Sequence, residues 1–128
     1  MEFDNNMPIY LQVIRELKKD MINGVLGLGD KLPSGRELAL KYQINPNTAN
    51  RIYKEMEIEE VCFTKRGLGT FVTEDGDKLN QIRNEMAESL LVNFVAGMAE
   101  LKFDKEEVIA LIEEKYDNPK RVGEWSEC

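Results

Sequence analysis

Between Asn45 and Lys54 the chain reads Asn-Pro-Asn-Thr-Ala-Asn-Arg-Ile-Tyr-Lys, amide and cationic side chains inside what is otherwise a helical pattern. At 3.6 residues per turn Asn47, Asn50, Arg51 and Lys54 share one face, while Ala49, Ile52, Tyr53 and Met56 share the opposite one. The chemistry of the first face is that of a DNA major groove. An asparagine amide pairs with adenine, a guanidinium with guanine, and a lysine offsets phosphate charge. A polar helix face alone is most often solvated surface. Here asparagine stands where glutamate or lysine would be better helix formers, so the cap does not account for the choice. Thr48 is equally suited to completing that cap and to touching a phosphate.

Two further groups share this chemistry. Ser34 and Arg36 open a short helix, Ser34 as its cap and Arg36 as a cation disfavoured by the helix dipole unless an anion lies near. Lys65, Arg66, Gly67 and Gly69 sit in "VCFTKRGLGTFVT", valine-, phenylalanine- and threonine-rich flanks around turn glycines, which predicts a hairpin with a basic tip.

The elements that must position these groups follow from local signals. Pro8 starts a helix carrying Tyr10, Val13, Ile14, Leu17 and Met21, which Gly24 stops. After a glycine-rich turn, Ser34 and Glu37 form a capping box for a short helix with Leu38, Ala39 and Tyr42 inside. "QIN" makes a tight turn, Asn45 caps the next helix and Pro46 takes its first position, with Ile44 and Ala49 as a hydrophobic staple. Two helices joined in this way are a helix-turn-helix, and a hairpin following directly makes it a winged helix. The fold class expected is mainly α with one small β-hairpin. Residues 1–76 form the winged helix-turn-helix domain, and residues 77–128 a two-helix region.

In that second region Leu79, Ile82, Met86, Leu90, Phe94, Met98 and Leu101 trace one long helix, with Ala87, Leu91 and Val95 as a second apolar strip. Asp104 and Glu107 cap another helix, stapled by Phe103 and Val108, which carries Val108, Ile109, Leu111, Ile112 and Tyr116 until Asn118-Pro119; a frayed tail, "KRVGEWSEC", follows. Two wide apolar strips are more than one helical hairpin can cover, so a homodimer is expected. Its interface would use Leu79, Ile82, Met86, Leu90, Leu91, Phe94, Val95, Met98, Ile109 and Ile112.

Composition excludes more than it asserts. The chain has 128 residues, 42% hydrophobic and 32% charged, which suits one domain with an appendage. It has no histidine, and Cys62 and Cys128 form no C-x-x-C pair, so neither the usual zinc sites nor histidine-based catalysis is available. No cofactor or metal is expected. Acid pairs such as Glu106-Glu107 point apart on a helix, "GVLGLG" lacks a phosphate-loop lysine and "EDGD" is too short for a calcium loop. No apolar run spans a membrane and the start is no signal peptide, so the protein is expected in the cytoplasm, where its two cysteines stay reduced. The net charge of −7 is unevenly spread. Lys31 to Lys54 carries five basic residues against Glu37 alone, whereas residues 77–128 hold 7 basic against 12 acidic, a net of −5. A locally basic face on an acidic body suits a binder that needs a specific DNA site. The competing expectation is a winged helix used only to bind other proteins, which predicts no sequence-specific DNA affinity.

From Pro8 to Val72, and above all in "GDKLPS", "RELA", "NPNT" and "RGLGTFV", the sequence resembles the winged-helix domain of the GntR family of bacterial transcription regulators. Its short second region resembles the YtrA-type subfamily. The resemblance implies that Ser34, Arg36, Asn47, Thr48, Asn50, Gly67, Gly69 and Thr70 face double-stranded DNA and that the last two helices dimerise. It also implies a repressor, often of a transporter or stress-response operon. A small-molecule effector is left open; the 52 residues from 77 to 128 are too few for a deep pocket, so one would lie between subunits. Three positions depart from the family: Gly35 replaces an acid, Pro46 an arginine that contacts a base in many relatives, and Glu60 the glycine that ends the recognition helix.

Overall fold

The structure is a computed structural model that describes Phe3 and residues 6–117; the helix end expected at Asn118-Pro119 and the tail after it lie outside the described residues. Five helices and one antiparallel hairpin follow in the order α1 (Ile9–Ile22), α2 (Gly35–Tyr42), α3 (Pro46–Ile58), β1 (Cys62–Lys65), β2 (Gly69–Val72), α4 (Gly76–Glu100) and α5 (Lys105–Asp117). They fall in two compact units divided between Glu85 and Met86. The expected domain boundary at 76/77 marks the start of α4, and the first turns of that helix pack with the N-terminal unit.

The N-terminal unit is organised around Val13 and Leu17 of α1, Leu38 of α2, Ile52 and Met56 of α3, and Val61 and Val72 beside and within the hairpin, all fully buried. Each such side chain contributes roughly 1.5–3 kcal/mol by leaving water. Local chemistry sets the helix ends as the sequence predicts. Ser34 Oγ accepts from the Glu37 N–H at 3.1 Å, and Glu37 Oε1 accepts from the Ser34 N–H at 3.0 Å, completing the box. Hydrogen bonds from the Ser34 backbone and side chain hold the Glu37 carboxyl below its ordinary 4.5. Pro8 is the cap of α1 rather than its first residue; Gly24, at φ +78°, takes the left-handed position just past the helix end.

The "GVLGLGDKLP" segment is more than a turn. Its last residues lie along β2: Leu32 N–H donates to the Thr70 carbonyl and Val72 N–H to the Asp30 carbonyl, both at 2.8 Å. The hairpin itself runs in register from Cys62↔Val72 to Lys65↔Gly69.

Ile82 departs from its expected role. It is 2% exposed and lies beside Glu59 and Val61, where it borders a shallow cleft of the N-terminal unit. It therefore belongs to that core and not to a dimer face. Periodicity shows that a helix has an apolar stripe but not which partner covers each turn of it.

In the second unit the later turns of α4 and α5 leave most of their apolar residues open, while Val108 and Leu111 are half-buried. Leu90 is 71% exposed and Leu91, Phe94, Val95, Ile109 and Ile112 are also exposed, while Met86 and Met98 are half-buried. Asp104 and Glu107 cap α5 reciprocally.

Glu60 explains one departure from the family pattern. Its φ is +63°, the left-handed region where glycine carries no Cβ penalty. The chain leaves α3 through this residue, and Val61 N–H closes back on the Met56 carbonyl at 3.0 Å. Glu60→Gly is expected to stabilise the protein by roughly 0.5–1 kcal/mol, the left-handed cost less glycine's extra unfolded-state entropy. Ser34→Ala is expected to destabilise it by about 1 kcal/mol. Thermal unfolding reads both, at about 4–8 °C per kcal/mol for a unit of this size. Because the Glu37 pKa is lowered in the fold, the capping contribution is present above pH 4.5 and fades as pH falls through the lowered value.

Candidate nucleic-acid interface

The rotation of α3 about its axis decides which side chains it can offer. Gln43, left-handed at φ 53°, ends α2, and Ile44 N–H returns to the Ala39 carbonyl at 2.9 Å. Asn45 Oδ1 then accepts from the Asn47 N–H at 2.7 Å, and Pro46 enters the first turn. Ala49, Ile52, Tyr53 and Met56 are buried as the apolar face. The Tyr53 hydroxyl donates to the Pro33 carbonyl at 2.5 Å, tying α3 to the segment that leads into α2. Burial pushes its pKa well above the ordinary 10.0, so the donor proton stays in place through the neutral range.

With that face fixed, Asn47, Asn50, Arg51 and Lys54 are all exposed. The structure brings together on one surface of α3 the four residues expected there. Ile58, 78% exposed, extends the same face by one further turn. Thr48 is half-buried and takes no part in the cap, which Asn45 makes alone. Two contacts shape this surface. The Arg51 guanidinium lies over the Tyr10 ring of α1 at 3.9 Å, which orients its hydrogen-bonding edge; Tyr10, on the apolar stripe of α1, is only half-buried. The Asn50 amide lies against Gly35 at the first turn of α2.

Ser34 and Arg36 are exposed at the start of α2. Ser34 Oγ accepts within the capping box, which leaves its own proton to donate.

At the wing, Leu68 N–H closes a turn on the Lys65 carbonyl at 2.9 Å. Gly67 and Gly69 have φ of +79° and +125°, so the tip needs glycine at both. Lys65, Arg66 and Gly67 are exposed, Gly69 and Thr70 half-buried. The Lys65 ammonium is 5.7 and 5.3 Å from the Phe63 and Phe71 rings. Those rings stack across the hairpin at 5.8 Å. Thr70 shares a 3.2 Å hydrogen bond with Thr64, which itself bonds the Glu57 carboxylate. Either hydroxyl can be the donor between Thr64 and Thr70, and the pair braces the wing from its Glu57 side. Lys31, which the sequence shows only as part of the basic stretch Lys31 to Lys54, belongs to the wing: its side chain crosses Gly69, where a Cβ would lie 2.8 Å from Lys31 Cε. Its pairing opposite Phe71 was the missing signal, because it places a lysine from before α2 beside the wing.

Among the described residues no cluster of three or more Cys, Asp or Glu side chains could hold a metal ion, and no helix is long and apolar enough to cross a membrane. Cys62 is buried, and burial pushes its thiol up to about 12, with the charge of Glu57 adding to the effect. It is an inert part of the core.

A helix-turn-helix with an amide and cation face on its second helix, flanked by a basic wing, defines a winged-helix transcription regulator. The family model described as "Bacterial regulatory proteins, gntR family" matches residues 9–72, and the chain belongs to that family. It is 38% identical over 108 residues to the HTH-type transcriptional regulator YhcF of Bacillus subtilis, covering 84% of this chain and 89% of that protein. With the HTH-type transcriptional repressor YtrA of the same organism it shares 36% identity over 100 residues, 73% of this chain and 77% of that one. A solved GntR family transcriptional regulator from Listeria monocytogenes superimposes with a TM-score of 0.82 at 39% identity, covering 88% of this chain and 98% of the other. These relatives are regulators and not enzymes.

The Arg51–Tyr10 stack makes a specific demand. Tyr10→Ala is expected to weaken DNA binding two- to five-fold, since an exposed cation–π contact is worth about 0.5–1 kcal/mol. Fluorescence anisotropy would show the loss, which should vanish when Arg51 is already alanine.

Proposed function

We propose that the protein is a homodimeric repressor that acts in the cytoplasm and binds a palindromic operator through the outer face of α3. The observation that carries this is the opposition on one helix: Ala49, Ile52, Tyr53 and Met56 buried, Asn47, Asn50, Arg51 and Lys54 exposed. Recognition helices contact base edges chiefly from their N-terminal residues, where Asn47 and Asn50 lie. Arg36 and Lys54, with Lys31, Lys65 and Arg66 at the wing, supply phosphate contacts. Pro46 stands where many relatives carry a base-contacting arginine, so the amides of Asn47 and Asn50 take a larger share of the readout. Repression is supported by the likeness to YtrA, and the operon expected is one for a transporter or a stress response.

Dimerisation is supported by the exposed apolar residues of the second unit, Leu90, Leu91, Phe94, Val95, Ile109 and Ile112. A two-fold dimer would present two recognition helices to half-sites about 34 Å apart. Within the same unit Val95, Met98, Ala99, Phe103, Val108 and Ile109 line an open apolar cleft of about 310 Å³. A second copy seated on Val95 and Ile109 would close it over, so a small apolar effector would bind between subunits.

Anisotropy titration against duplexes tiling the region upstream of the protein's own gene tests the proposal. One duplex should bind tightly, with affinity falling about 10³-fold or more between 50 and 200 mM salt if six or more phosphates are contacted. Asn47→Ala combined with Arg51→Ala should abolish the preference for that duplex. Equally weak binding to every duplex, also after selection from genomic fragments, would instead favour a protein-binding winged helix. Leu90→Glu, expected to leave the winged helix folded, should yield a monomer by analytical ultracentrifugation and lose most of the affinity for a two-half-site duplex.

A further inference from the structure

One contact in the helix-turn-helix joins a departure from the family pattern to a residue of the recognition face. Gly35 is the first residue of α2, and a methyl group placed on it would lie 2.7 Å from Asn50 Oδ1 and 3.8 Å from Asn50 Cγ. Real Cβ atoms essentially never approach another atom this closely. The Asn50 amide therefore occupies space that exists only because residue 35 lacks a side chain. The φ of Gly35 is not left-handed, so backbone conformation does not require glycine here. Nor does helix stability, since alanine is the better helix former by up to about 1 kcal/mol. What glycine supplies is room.

We infer that Gly35 is a specificity-determining residue: by leaving the start of α2 open, it lets Asn50 fold back against that helix and so sets which base edge the amide reaches. This rests on the proposal that α3 reads DNA. Any side chain at position 35 displaces the end of Asn50 outward, towards the groove or along the helix. The amide is a short, two-sided reader, with one donor end and one acceptor end. Moving it by the width of a methyl group takes it from one base pair's hydrogen-bonding atoms towards its neighbour's. An acid at this position, as the family pattern has, would add a negative charge beside Asn50 as well as bulk. The pair Gly35 and Asn50 thus acts as a unit, and the substitution of one is felt through the other.

The experiment compares wild type, Gly35→Ala, Asn50→Ala and the double variant, as full-length protein. Each is titrated against the operator duplex found by selection and against a set with every base pair of one half-site replaced in turn. Gly35→Ala is expected to keep its melting temperature or raise it, and to keep the salt slope of binding, because it changes no charge. Its preference should change at the base pairs where Asn50→Ala also changes it, and by about ten-fold, within the range of one good amide–base pair. In the Asn50→Ala background, Gly35→Ala should change nothing further. A structural role alone would instead weaken binding to all duplexes evenly. If wild type discriminates among duplexes and Gly35→Ala discriminates identically, the inference is overturned while the DNA-reading proposal stands. If wild type itself discriminates among none of them, it is that proposal that fails.

Discussion

The burial of one stripe of α3 governs everything this protein offers to a partner. Ile52 and Met56 are fully buried and Tyr53 is anchored by its hydroxyl to the Pro33 carbonyl. Replacing either aliphatic side chain by alanine would cost on the order of 2–5 kcal/mol, a large part of the stability of a domain this size. A helix so held cannot rotate. Because its period is fixed, the burial of Ala49, Ile52, Tyr53 and Met56 dictates that Asn47, Asn50, Arg51 and Lys54 face outward together. α1 and α2 do more than supply the core: Tyr10 supports the Arg51 guanidinium from beneath, and Gly35 gives way to Asn50. The recognition face is thus shaped by its scaffold as well as by its own sequence.

Electrostatics places a second constraint on function. A chain with a net charge of −7 is repelled by DNA at long range, so only a concentrated basic surface holds it there. Lys31, Lys65 and Arg66 gather at the wing although Lys31 is far from the others in sequence. Cations gathered at one place on a chain whose acids outnumber its bases elsewhere favour short-range, site-dependent contact over general adhesion.

What could be seen in the sequence was what short-range chemistry determines. The capping boxes at Ser34/Glu37 and Asp104/Glu107, the Asn45 cap, the hairpin glycines and the two faces of α3 each depend on residues a few positions apart. What could not be seen depends on the tertiary arrangement. The pairing of Lys31 with β2, the stack of Arg51 on Tyr10 and the space Asn50 takes beside Gly35 join distant segments. Ile82 shows the limit plainly: its position in the apolar strip of α4 was legible, but not that the N-terminal core would claim it. Glu60 shows the converse. The family pattern of glycine at that position points to a left-handed residue, and the structure finds one there even though the side chain is a glutamate.

The most direct measurement is methylation protection on the selected operator duplex, because dimethyl sulfate modifies guanine N7 in the major groove, where α3 would lie. Two clusters of protected guanines about one helical turn apart, both lost with Asn47→Ala/Arg51→Ala, are the result expected if the outer face of α3 reads bases. Full occupancy of the duplex with every guanine N7 still reactive would contradict that claim, since the protein would then be gripping the backbone without entering the groove.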